Sequence, residues 1–128
     1  MNYYFAKTLK NTSFEQTIEQ VTEALKEEGF GILTEIDVKA TMKKKLDKDF
    51  RPYKILGACN PPFAFKALAA EDKIGTMLPC NVIVQQTDNG VEVAAVSPKA
   101  SMAAVDNAEL AVIADEIEAL LKKAIASL

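Results

Sequence analysis

The stretch that most constrains this chain is residues 55–84, ILGACNPPFAFKALAAEDKIGTMLPCNVIV. Pro61 and Pro62 follow an apolar run that ends at Cys59. Proline cannot donate to a sheet ladder or to a helix interior, but it fits the first turn of a helix, where N–H groups have no intrahelical partner. The run Tyr53 to Ala58 is therefore read as a strand, Cys59 as its end, and Asn60 as the cap of a helix carrying Phe65, Leu68 and Ala69 on its apolar face. Asp72 to Pro79, with Gly75 inside it, is a connector, and Cys80 opens a second apolar strand. Both cysteines of the chain thus fall at strand junctions.

The flanking sequence extends this pattern. Asn2 to Leu9 is aromatic and apolar and alternates as a strand does. Ser13 and Gln16 stand at capping-box spacing, and Phe14, Ile18, Val21 and Leu25 recur along one helix face. Gly29 ends that helix. Phe30 to Ile36 is a strand. Asp37 caps a short helix from Val38 to about Leu46, with Val38, Met42 and Leu46 on its inner face. Asn81 to Gln86 and Val91 to Val96 flank Thr87-Asp88-Asn89-Gly90, the clearest hairpin signal in the chain. After a linker from Ser97 to Asp106, Asn107 caps a final helix striped by Leu110, Ile113, Ile117, Leu120 and Leu121.

Strands and helices alternate until the hairpin, so at least one strand pair is antiparallel. The expected fold is a single α+β domain over residues 1–128: a two-layer sandwich with one mixed, largely antiparallel five-stranded sheet and helices mainly on one face. A doubly wound parallel fold is the alternative, weakened by the hairpin and by the missing glycine-rich phosphate loop. Val82-Ile83-Val84 is apolar on both faces, as a central strand covered on both sides would be. Helices cover one face; a second copy of the chain is expected on the other.

Composition removes several function classes. The chain has 128 residues, 49% of them hydrophobic, and a net charge of -3. That supports a real core and gives no general attraction to nucleic acid or to anionic membrane. No apolar run approaches the ~20 residues that span a bilayer. The N-terminus lacks the pattern of a signal peptide, so a cytoplasmic protein with reduced thiols is expected. The sequence contains neither histidine nor tryptophan. A histidine base, a histidine-rich zinc site and haem ligation by histidine are excluded, and two cysteines cannot close a four-thiolate zinc site within one chain.

FRPYKILGACNPPFAFKAL and IGTMLPCNVIV, preceded by GFGILTEIDVKATMKKKL, resemble the family named domain of unknown function 302. The resemblance runs from the first strand to the last helix, and the phrases GACNP and LPCN carry it. It implies a small bacterial or archaeal α+β protein that forms a homodimer. It implies no established activity and names no cofactor, so the cofactor is unknown.

The candidate site is Cys59, Asn60, Cys80 and Asn81. A helix N-terminus stabilises a nearby thiolate, which makes Cys59 a candidate nucleophile or soft-metal ligand. Buried free cysteine is also an ordinary small core residue, and that reading carries more weight. If their strands are adjacent and antiparallel, Cys59 and Cys80 share one sheet edge; if parallel, they lie at opposite ends. Lys43, Lys44, Lys45, Lys48 and Arg51 form a basic cluster, read chiefly as a solvated face because Asp47 and Asp49 interrupt it. Glu35 and Asp37 share a strand face, but Asp37 is better explained as a cap. Two functions follow. The first is binding of a small ligand or metal, or thiol chemistry, around Cys59 and Cys80. The alternative is a homodimeric interaction module with both cysteines in the core and no chemistry.

Overall fold

The computed structural model describes residues 2–128. Five strands, β1 (Tyr4–Leu9), β2 (Gly31–Asp37), β3 (Tyr53–Cys59), β4 (Cys80–Thr87) and β5 (Gly90–Val96), form one sheet in the order β1-β5-β4-β3-β2. Every neighbouring pair is antiparallel. The sheet is thus α+β as expected and simpler than a mixed one. β1 and β2 run the same way, but they lie at opposite edges with helix α1 (Phe14–Glu27) crossing between them, so they never pair.

Local chemistry sets the helix boundaries. In α1 the Ser13 hydroxyl accepts from the Gln16 N–H at 3.1 Å, and the Gln16 side chain accepts from the Ser13 N–H at 3.2 Å, closing the capping box. The helix ends at Gly29, whose φ of +88° suits glycine. The Asp37 carboxylate accepts from the Ala40 N–H at 2.9 Å and starts α2 (Val38–Leu46). Asn107 does the same for α5 (Ala108–Ala126) through the Leu110 N–H. The linker after β5 contains one helical turn, α4 (Pro98–Ser101), begun by Ser97. The connector after α3 (Pro61–Ala70) is a 3-10 segment, Asp72–Met77.

The core lies between the sheet and the pair α1 and α5. Val82 and Val84 of β4 are fully buried against it, with Leu56 of β3 and Val91, Val93 and Ala95 of β5. Val21 and Leu25 of α1 and Leu110 and Leu121 of α5 complete it. On the opposite sheet face Asn81 is exposed and Ile83 and Gln85 are half-buried. The apolar stripe of α2 does not reach the core. Val38 and Met42 are half-buried and Leu46 is 62% exposed, because α2 lies mainly against the edge strand β2 and its neighbour β3.

Candidate functional site

The register of β3 and β4 brings the two cysteines to one end of the sheet. Ala58 pairs with Cys80, and Cys59 is the next residue along β3. Both cysteines are free thiols. They line a cavity of about 290 Å³. Its other walls come from Phe30 and Leu33 near β2, Ala64 and Leu68 of α3, Leu78 and Pro79 before β4, and Ile117 of α5. The walls are almost wholly apolar. Leu33 is 67% and Leu68 45% exposed, so large aliphatic side chains reach solvent at the rim.

The sheet backbone crowds closely here. A methyl group on Gly57 would lie 2.2 Å from the Thr34 hydroxyl and 2.7 Å from the Pro79 ring. Glycine at that position lets Pro79, the residue before Cys80, lie against β3 beside Thr34 of β2.

The thiols differ in setting. Cys80 is 5% exposed. Burial, and secondarily the neighbouring Cys59, push its thiol up to about 11. Cys80 is therefore a protonated, weakly nucleophilic thiol at neutral pH. Cys59 is half-buried and stands immediately before the start of α3.

Asn60 occupies the cap position of α3 but does not cap it with its side chain. A cap side chain normally accepts from the second or third helical N–H. The second helical residue is Pro62, which has none, so half of the usual donors are missing. The Asn60 amide instead donates to the Glu28 carbonyl oxygen at 3.1 Å and lies against Gly29, joining the end of α1 to the start of α3. Asn60 lines the cavity with this donor already engaged.

Asn81 lies elsewhere. It pairs with Gly57 and is exposed on the open face of the sheet. There it borders a shallow groove with Tyr53, Ile83, Gln85, Glu92 and Ala94. The structure thus brings Cys59, Asn60 and Cys80 together and leaves Asn81 outside. The reason is strand alternation: successive residues Cys80 and Asn81 point to opposite faces.

Other polar candidates are accounted for locally. Glu35 accepts a 2.5 Å hydrogen bond from Lys54, which raises the Lys54 pKa mainly through that bond. Asp37 is spent on α2, so the two acids do not form a pair. Lys43 reaches Asp47 at 2.9 Å and Asp49 at 3.6 Å, all well exposed, a pairing of ~0–1 kcal/mol at such positions.

One polar cluster carried no readable signal in the sequence. Glu118 of α5 is buried and accepts from the Ser97 hydroxyl, from the Lys99 N–H at 3.3 Å and from Lys122 at 3.4 Å. Burial alone would raise its pKa. The hydrogen bonds from Ser97 and Lys99, with Lys122, outweigh that and hold it below the usual range. Glu118 sits beside Ile117 in an otherwise apolar stripe, and only the spatial return of the chain at Ser97 explains it. Among the described residues no group of three or more His, Cys, Asp or Glu side chains is placed to hold a metal ion. No helix among them is long and apolar enough to cross a membrane.

Fold and cavity together define a two-layer α+β domain with a thiol-lined apolar recess at one end of its sheet. The chain belongs to the family described as "Domain of unknown function DUF302", which matches residues 5–128. The crystal structure of the uncharacterized conserved protein DUF302 from Bacillus stearothermophilus is similar, with 29% identity, a TM-score of 0.91, and 98% of each chain covered. No curated protein matches the chain.

Proposed function

We propose that the protein binds a small, predominantly apolar molecule in the cavity beside Cys59 and Cys80, in a reducing compartment such as the cytoplasm. One observation carries this reading: segments distant in sequence converge on a recess of about 290 Å³ walled by aliphatic side chains and two thiols. That volume stands at the small end of ligand sites, ~300–1,000 Å³. The lining also favours an apolar ligand over a metal ion. Among the described residues no group of three or more His, Cys, Asp or Glu side chains is placed to hold a cation. One N–H of the Asn60 amide is engaged by Glu28, which leaves the rest of that amide and the two cysteines as the polar groups of a lining that is otherwise apolar.

The test is ligand-observed NMR with benzene, indole and short-chain alcohols against the wild type and Ala64→Leu. Ala64 lines the cavity from α3 and is partly exposed, so the larger side chain fills the recess. Saturable binding to the wild type, weakened at least tenfold in the variant, supports the site. Equal binding to both, or none to either, overturns it.

A second reading, a homodimer through the open sheet face, is favoured by the uncovered side chains there. Tyr4 is 42% exposed, and Ile83 and Tyr53 are half-buried beside the same groove. A stable pair would bury more than ~1,200 Å² in total. Sedimentation of the wild type as a dimer at micromolar concentration, and of Ile83→Glu as a monomer, supports it. A monomeric wild type removes it.

A further inference from the structure

We propose that Cys59 and Cys80 are a redox-active pair, which a low-molecular-weight disulfide such as oxidised glutathione converts to an intramolecular disulfide between the ends of β3 and β4. The inference uses the cavity described above but does not require that a ligand bind there.

The backbone register sets the spacing. Cys80 pairs across the sheet with Ala58, one residue from Cys59. Directly paired antiparallel Cα atoms are about 4.5–5.5 Å apart, and one residue's offset along a strand adds about 3.4 Å at right angles. The two Cα atoms are then roughly 6 Å apart, inside the ~4.4–6.8 Å range of disulfides. Alternation within a ladder would turn neighbouring side chains to opposite faces. Cys59, although still paired with Gly31 of β2, is the last residue of β3 before the chain turns into α3, Cys80 is the first of β4, and both line the same cavity. The cavity borders both cysteines, so the space their side chains would move through adjoins the packed core.

Exposure sets the order of events. Cys59 is half-buried and reachable from solvent, whereas Cys80 is 5% exposed. The Cys59 thiolate attacks one sulfur of oxidised glutathione. The Cys59–glutathione bond forms, the glutathione S–S bond breaks, and the released thiolate takes up the proton lost by Cys59. Cys80 then gives its proton to solvent and attacks the Cys59 sulfur. The Cys59–Cys80 bond forms and the second glutathione leaves as thiolate, to be protonated. Both protein thiols are oxidised, and one oxidised glutathione is reduced to two glutathione molecules. Burial keeps Cys80 protonated, so the second step is the slower one.

The test incubates the native protein with oxidised glutathione, blocks the remaining thiols with iodoacetamide, digests with trypsin without reduction, and maps the peptides. The expected product joins peptide 55–66 to peptide 74–99 within one chain, and neither cysteine is carbamidomethylated. Cys80→Ser should stop at the glutathione adduct on Cys59. A wild type that also stops at that adduct overturns the proposal. So does a link found only between chains, or only after unfolding in denaturant. Loss of apolar-ligand binding in the NMR experiment would leave this result untouched, so the two readings fail separately.

Discussion

Asn60 donates its side-chain amide to the carbonyl oxygen of Glu28 at 3.1 Å, so the residue that opens α3 holds the residue that ends α1. This bond spans two helices at the edge of the cavity and makes Asn60 a tie rather than a cap. Asn60→Ala should destabilise the protein by ~1–2 kcal/mol, the cost of a mostly buried hydrogen bond. Asn60→Asp separates the two roles. Aspartate caps helices as well as asparagine does. It cannot donate to Glu28, and it would place negative charge at the negative end of α1. Chemical denaturation should therefore find Asp at least as destabilising as Ala. An Asp variant near wild-type stability would restore the capping role.

Gly57→Ala should destabilise more than its single methyl group suggests. The added carbon would meet the Thr34 hydroxyl at 2.2 Å and the Pro79 ring at 2.7 Å. Overpacking of this kind costs ~1–3 kcal/mol. Thr34→Ala removes one of the two obstacles, so the double variant should recover part of the loss. Denaturant midpoints of the four proteins give the coupling, and strictly additive effects would show that the crowding at β2 does not matter.

Much of this architecture was legible because the signals were local. Ser13 with Gln16, Asp37, Gly29 and Asn107 mark helix ends through groups within four residues of each other. The pair Pro61-Pro62 fixed where β3 must stop. What stayed hidden depended on partners far along the chain. Whether Cys59 and Cys80 share an end of the sheet rests on strand direction, which no residue near either cysteine encodes. Asn60 looks like a cap until Glu28 is seen beside it, 32 positions away. Asn81 follows Cys80 directly in the sequence, but adjacency on a strand separates faces. Leu120 and Leu121 both fit the α5 stripe, yet only Leu121 is fully buried. The stripe's phase depends on where β5 and α1 lie against it. Glu118 is the extreme case, since a charged residue within an apolar stripe gives no hint of Ser97.

Leu121→Ala tests that phase. With Leu121 at 0% exposure the substitution should cost ~2–5 kcal/mol, whereas the half-buried Leu120 should cost clearly less when changed to alanine. Thermal or chemical unfolding that ranks Leu120 above Leu121 would mean α5 is rotated from the position described.

Glu118 should make the fold acid-sensitive. Its folded-state pKa lies below the ordinary value of 4.5. A depressed carboxyl pKa means that the folded state favours the carboxylate, so its stabilisation is complete above pH 4.5 and fades as pH falls through the lower, folded-state pKa. Glu118→Gln keeps an acceptor for Ser97 but loses the charge facing Lys122. The wild type should exceed the variant at pH 7, and the gap should close below about pH 4.5. Unfolding curves from pH 7 to pH 2.5 measure this, and a gap that stays constant with pH would place the effect in packing instead.

Cys80 should give the opposite sign at the other end of the scale. Its pKa rises from 9.0 to about 11 on folding, chiefly because burial penalises the thiolate. The folded state favours the protonated thiol, so this stabilisation is complete below pH 9 and is lost as pH rises towards 11. Cys80→Ala removes the titrating group, so its stability should fall less than that of the wild type across that interval. The same burial predicts an order of labelling. Iodoacetamide at pH 8 should modify Cys59, which is half-buried, well before Cys80, which is 5% exposed and protonated. Peptide mapping of the native protein over time reads both rates, and denatured protein supplies the reference in which the two become similar. If Cys80 labels first, or as fast as Cys59, then the wall of the cavity opens more readily than its packing implies, and the assignment of Cys59 as the thiol that meets solvent fails with it.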